Sequence, residues 1–215
     1  MIGHTRRIAC GLTAALVISG CSSAPPAADE TANVQPVNSS LDQTLPPPGY
    51  GTLRQDDFTV ALRSGAVQLK MTPLAESVIR LAAPDTYQRL HRLVESRSTQ
   101  IRDMAQRNGL RQDPLVYQVS FFTLDVQIAF YPTEIVILSR GILFRPMGII
   151  PLTPDWGREQ LKQEQLQTAL YLFDPAIDLN VFFQVEYGGV VASDWAAVIS
   201  RLEAERGRVM SRARG

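Results

Sequence analysis

Cysteine is scarce in this sequence. Its two cysteines, Cys10 and Cys21, lie near the start of a chain of 215 residues, and no thiol follows them. A disulfide within the rest of the chain, a cysteine-based metal site and a cysteine nucleophile are therefore excluded. We expect the fold to be stabilised by its hydrophobic core alone.

Histidine is equally rare, with only His4 and His91 in the chain. Hydrolytic triads usually need a histidine base, and zinc favours histidine and cysteine ligands. His91 falls in a predicted helix with no glycine-rich nucleophile turn nearby, so we interpret it as a surface or boundary residue. The sequence also has no glycine-rich phosphate loop. It therefore predicts no catalytic residue, no metal and no cofactor.

An excess of charge of one sign is lacking as well. The chain has 21 Lys and Arg residues and 21 Asp and Glu residues. Nucleic-acid binding usually requires a strongly basic surface, so we expect no nucleic-acid partner. A hydrophobic content of 45% and a charged content of 20% are typical of a globular protein, and the length suits one domain.

The start of the chain carries an apolar run from Ile8 to Ile18, preceded by Arg6 and Arg7. This run is shorter than the ~20 residues that a membrane-spanning helix needs. A basic start, an apolar middle and small residues at the end are typical of an export signal. We therefore predict a signal over residues 1–21 and not a transmembrane helix.

The signal ends with Ile18, Ser19, Gly20 and Cys21. A branched aliphatic residue, two small residues and a cysteine resemble the lipobox of bacterial lipoproteins. The resemblance implies cleavage between Gly20 and Cys21 and transfer of diacylglycerol to the Cys21 thiol. Several acyl chains would hold the protein stably at a membrane of the cell envelope. Ser22 implies the outer membrane, facing the periplasm, if the source has two membranes.

Residues 22–55 are rich in Ala, Pro, Ser, Asn and Gln and show no apolar periodicity. This composition predicts a disordered tether. Residues 56–215 then form a single globular domain.

Alternating apolar and polar residues predict strands in much of this domain. A β-hairpin is expected around Ser64-Gly65. Further short runs rich in β-branched and aromatic residues predict strands at 115–124, 126–131, 134–140 and 142–144, an edge strand at 149–151 and a last strand at 177–187. The connections are too short for parallel crossovers, so the sheet is predicted to be mainly antiparallel.

Helical spacing predicts an N-terminal helical segment at 73–108, a helix at about 157–173 and a C-terminal helix at 194–212. Thr72-Pro73 is the predicted start of the first segment. The fold class is therefore α+β. An immunoglobulin-like sandwich is one arrangement that fits, although periodicity does not give the order of the strands.

Residues 140–147 are the best candidate for a partner surface. Arg140, Phe144 and Arg145 lie beside a proline-broken apolar edge, which another chain could extend. Arg145 could equally pair with an acid inside the protein. Trp156 is a further candidate, although packing of a helix end against the sheet is its favoured interpretation.

These patterns predict a lipid-anchored module of the cell envelope that binds a protein or an envelope polymer without enzymatic activity. Two alternatives stay open. A carboxylate-dependent hydrolase such as a glycosidase needs only two acids at a set separation, and the available acids are Asp155, Glu159, Glu164, Asp174 and Glu186. A lipid carrier needs an apolar cavity.

Overall fold

A computed structural model describes residues 45–214 of the chain. The predicted signal, its cleavage at Gly20, the lipidation of Cys21 and the tether up to residue 44 lie outside the described residues. The end of the predicted tether does not: Leu53 is buried, and Thr52 is hydrogen-bonded to Glu205. The folded contacts therefore begin before the predicted domain start at residue 56.

A five-stranded antiparallel sheet forms one half of the domain, with the order β1-β2-β3-β9-β7. Its strands are β1 (Val60–Ser64), β2 (Val67–Pro73), β3 (Leu115–Phe122), β7 (Gly148–Pro151) and β9 (Leu166–Phe173). The predicted hairpin is confirmed, because β1 pairs with β2 across Gly65-Ala66. The predicted edge strand is confirmed too, because β7 ends the sheet.

A second antiparallel sheet has four strands in the order β11-β10-β5-β6. It consists of β5 (Val136–Ser139), β6 (Ile142–Phe144), β10 (Phe183–Tyr187) and β11 (Val190–Ala192). A small ladder joins β4 (Ile128–Ala129) to β8 (Gln160–Leu161). Every strand pair in these sheets is antiparallel, as predicted.

Four α-helices complete the described part of the chain: α1 (Glu76–Ile79), α2 (Pro84–Ser96), α3 (Ser98–Arg107) and α4 (Trp195–Arg212). Pro84 occupies the first turn of α2, where its fixed backbone angle suits a helix start. Helix α3 lies close to β7, where Gly148 has no Cβ and leaves room for the Met104 side chain. Among residues 45–214 no helix combines the length and the apolar composition needed to cross a membrane.

The two large sheets share one hydrophobic core. Phe121 of the first sheet lies 5.4 Å from Tyr187 of the second, measured between ring centroids. Helix α4 adds Trp195, which stacks on Phe183 at 4.6 Å. Because the buried residues of all these elements form one cluster, residues 45–214 are expected to fold without the signal. The domain is α+β, and the immunoglobulin-like arrangement stays a prediction.

The predicted helix at 157–173 is wrong. A 3-10 turn at Trp156–Arg158 is followed by strands β8 and β9. In β9 every residue after Leu166 is buried, because both faces of this inner strand are covered. Such a strand shows no alternation, and its continuous apolar run resembles a buried helix.

Three boundaries also differ from the sequence prediction. Thr72-Pro73 does not start a helix, because β2 continues through Pro73, which pairs with Tyr117. The last long strand begins at Phe183 and not at residue 177, because the Asp178 side chain accepts the Asn180 N–H at 2.9 Å and forms a turn. The run at 126–131 contributes only the two residues of β4.

Candidate partner-binding edge

The β5–β6 hairpin turns through Arg140 and Gly141. Both have positive backbone φ angles, 52° and 78°. Two consecutive positive φ angles fit a two-residue hairpin turn of type I′, in which the first position usually holds Asn, Asp or Gly. Arg140 occupies this position although a positive φ angle is unfavourable for a residue with a long side chain. The Arg140 side chain therefore lies at the tip of the hairpin.

Strand β6 ends the four-stranded sheet, so one side of its backbone has no strand neighbour among the described residues. Its side chains are unusually exposed for apolar residues: Ile142 is 58% and Leu143 is 62% accessible. Phe144 is half-buried and packs against the core. A free edge with exposed apolar side chains on a strand without Lys, Glu or Pro is a surface that favours pairing with another chain.

The two arginines at the ends of this edge differ in their surroundings. The Arg140 guanidinium forms an ion pair with Asp178 at 2.9 Å. Arg145 is exposed and forms no ion pair or hydrogen bond with another described residue. Of the two interpretations of Arg145 left open by the sequence, the structure therefore favours the one without an internal acid partner.

Trp156 does not belong to this surface. It is 7% exposed and lies among aromatic rings, 5.4 Å from Phe130, 5.8 Å from Phe121 and 6.2 Å from Tyr171. Burial of this side chain in the core excludes it as an exposed anchor for a partner. Its packing against the sheet was the favoured interpretation of its sequence context.

The outer face of the same sheet adds apolar residues that the sequence prediction did not single out. Leu143 lies opposite the half-buried Leu138. Phe182, just before β10, is 44% exposed, and Val191 on the other edge strand is 50% exposed. The alternation of apolar and polar residues along β10 and β11 could have indicated this face, but only once the order of the strands was known.

His91 is half-buried and lies between two carboxylates. Its Nδ1 is 2.7 Å from Oε1 of Glu76, and its Nε2 is 3.2 Å from Oε1 of Glu95. Glu76 also forms an ion pair with Arg80 at 2.6 Å. With a carboxylate on each ring nitrogen, neither nitrogen is left to take a proton from a nucleophile. The cluster ties α1 to α2, consistent with a boundary histidine.

A second charged cluster surrounds Glu205 of helix α4, whose side chain is fully buried. Its carboxylate is bound by Arg208 at 2.6 Å and Arg212 at 3.1 Å, and by both the N–H and the hydroxyl of Thr52. Burial by itself raises the pKa of Glu205. The hydrogen bonds from Thr52 and Arg212 and the positive charges of Arg212 and Arg208 outweigh it, so the pKa of Glu205 lies below its ordinary value.

Within residues 45–214, no three His, Cys, Asp or Glu side chains come together in a way that could hold a metal ion. Comparisons with known protein families, with curated proteins and with solved structures found no match for this chain.

Proposed function

We propose that this protein is a membrane-anchored lipoprotein of the cell envelope whose domain binds another protein along the free edge of β6, without catalysing a reaction. The anchor is the lipid on Cys21 that the lipobox resemblance implies. In a source with two membranes, the domain would face the periplasm from the outer membrane.

The exposed edge carries the proposal. Ile142 and Leu143 are both more than half accessible on a strand with no neighbour on one side among the described residues. A partner that covers them would remove apolar area from water, which favours association. An extended segment that adds to the sheet would pair with the free backbone and bury these side chains, which is a common mode of peptide recognition.

The charge at the end of the strand narrows the choice of partner. Arg145 has no acidic partner among the described residues, whereas Arg140 is neutralised by Asp178. A carboxylate on the incoming segment would complete an ion pair with Arg145. We therefore commit to a protein partner with an extended, apolar segment followed by an acidic residue.

Site-specific photo-crosslinking in intact cells tests this proposal. A photoreactive residue replaces Leu143 in one variant and Val191 in another, because both side chains are at least half exposed on opposite edges of one sheet. We expect one defined product from position 143, its loss on adding Arg145→Glu, and no such product from position 191. Equal products from both positions, or none from 143, would contradict the proposal.

A second candidate function, binding of a lipid-like ligand, is favoured by an apolar cavity beside helix α3. The hydrolase alternative rests on Asp155, Glu159, Glu164, Asp174 and Glu186. Asp155 forms an ion pair with Arg158, and the Asp174 side chain accepts the Ala176 N–H. These contacts are local and give the hydrolase alternative no comparable support.

A further inference from the structure

A cavity of about 380 Å³ opens between helices α2 and α3 and the start of strand β3. Its volume lies within the usual range of ligand cavities. The apolar part of its lining includes Leu74, Val94, Ile101, Pro114, Leu115 and Val116. Leu74, Ile101 and Val116 also belong to the hydrophobic core, so the cavity reaches from solvent into the core.

Three polar residues stand around this lining: Ser98, Arg102 and Asp113. Arg102 and Asp113 are exposed, and the side chain of neither forms an ion pair or a hydrogen bond with another described residue. An apolar floor with charged groups at the rim suits an amphiphile, whose chain can leave water while its head group stays at the mouth.

The polar groups at the mouth favour an anionic head group. Ser98 and Arg102 lie one turn apart on α3, and both line the cavity. The Ser98 hydroxyl and the Arg102 guanidinium can both donate hydrogen bonds to an anion. Asp113 is the opposing charge, so the head group is placed on the Arg102 side of the rim.

We propose that this cavity binds a single-chain anionic amphiphile, with its alkyl chain on the apolar floor and its head group bound by Arg102. The proposal names the ligand class for the second candidate function. It does not depend on the β6 edge, so a failure of the crosslinking experiment leaves it intact, and the reverse also holds.

Calorimetric titration of the polypeptide from Ser22 to Gly215 tests the proposal, with probes below their micelle concentration. Dodecyl phosphate is expected to bind, whereas inorganic phosphate and dodecyltrimethylammonium are expected to show no saturable binding. Phosphate alone lacks the apolar contact, and the cationic probe lacks attraction to Arg102. Binding of the cationic probe as tightly as the phosphate would overturn the assignment of an anionic head group.

Four variants locate the site. Ser98→Trp fills the mouth of the cavity and should abolish binding. Arg102→Gln should weaken dodecyl phosphate binding about 5- to 10-fold, the size expected for one charge-assisted contact near solvent. Asp113→Asn should strengthen it a few-fold. Arg107→Gln removes the same charge from the same helix at a residue outside the cavity lining, so it should change binding less than about twofold.

Thermal unfolding of each variant is measured alongside, so that a lost fold is not taken for a lost site. The proposal fails if the folded Ser98→Trp variant still binds dodecyl phosphate, or if Arg107→Gln weakens this binding as much as Arg102→Gln does. Either result would mean that the alkyl chain of the probe does not occupy this cavity.

Discussion

Thr52 and Glu205 are 153 positions apart in the sequence and are joined by two hydrogen bonds, because the N–H and the hydroxyl of Thr52 both donate to Oε1 of Glu205, at 3.0 and 2.9 Å. Arg212 reaches across the same junction and donates to the Tyr50 carbonyl at 2.7 Å. The first residues of the domain are thereby fixed to its last helix.

Replacing Glu205 with Gln should lower the free energy of unfolding by about 2 kcal/mol, because Arg208 and Arg212 lose a buried carboxylate. Urea unfolding gives the value. Glu203→Gln is the matched control: it removes a carboxylate from the same helix, but Glu203 is 54% exposed in its pair with Arg206. The control should change stability by less than about 0.5 kcal/mol. Equal effects of the two substitutions would contradict a special role for Glu205.

The contribution of Glu205 should depend on pH. Its pKa is lower in the folded protein than in the unfolded chain, so the folded state binds the proton less tightly. The stabilisation is therefore complete above the unfolded pKa of about 4.3 and is lost as the pH falls through the folded pKa. The stability gap between the parent protein and Glu205→Gln should be constant from neutral pH to about pH 5 and should close in more acidic solution. A gap that widens towards acid pH would show the opposite sign of pKa shift.

Tyr117 and Tyr171 offer a matched pair of buried phenols. The Tyr117 hydroxyl is buried without a hydrogen-bond partner in the described part of the chain, whereas that of Tyr171 donates to the Pro132 carbonyl at 2.9 Å. Burial raises the pKa of both phenols. Tyr117→Phe should be neutral or stabilising by up to about 1 kcal/mol, and Tyr171→Phe should destabilise by about 1–2 kcal/mol. Equal losses of thermal stability in the two variants would refute the difference in hydrogen bonding.

Gly51 lies against the backbone of Leu81. A Cβ at Gly51 would come within 2.2 Å of the Leu81 carbonyl carbon and oxygen, where no flexible side chain can move aside. Gly51→Ala should therefore lower the melting temperature by several degrees, since overpacking typically costs about 1–3 kcal/mol. Gly157→Ala is the control, because a Cβ there meets nothing within 4 Å. A melting temperature unchanged in both variants would mean that residues 50–53 are not held as described.

The lipid anchor predicts a change of location. Cys21→Ser should move the protein from the membrane fraction to the soluble fraction, because the serine hydroxyl does not accept the lipid and the lipid on Cys21 is the anchor that we propose. Fractionation followed by immunoblotting measures this, and mass spectrometry of the native amino terminus identifies the modification. If the serine variant stays with membranes as the parent does, the anchor proposal is wrong.

The parts of the fold that could be predicted from sequence are those with one covered face. Strands β1 and β2 alternate between buried and exposed side chains, and α4 has one apolar stripe through Trp195, Val198 and Leu202. The sequence of strand β9 resembles that of a helix because the strand is covered on both faces and lacks the alternation of a half-buried strand. Residues 177–182 have the apolar spacing of a strand although they form a loop, because Ile177 and Leu179 are buried there.

The candidate edge was partly predictable. Arg140 and Arg145 do flank an edge strand, since the short run 142–144 between Gly141 and Pro146 has the length and composition of one. The burial of Trp156 was not predictable, because a Trp in a polar turn gives no indication of which side of the turn is covered. The Glu205 cluster and the cavity beside Ile101 depend on contacts between distant segments, which local patterns do not encode.

The contact between Thr52 and Glu205 also constrains the order in which the protein can fold. Residues 50–52 are synthesised long before α4, the helix that holds them. They can dock only after α4 has been made, so this non-local contact closes after the contacts between neighbouring segments.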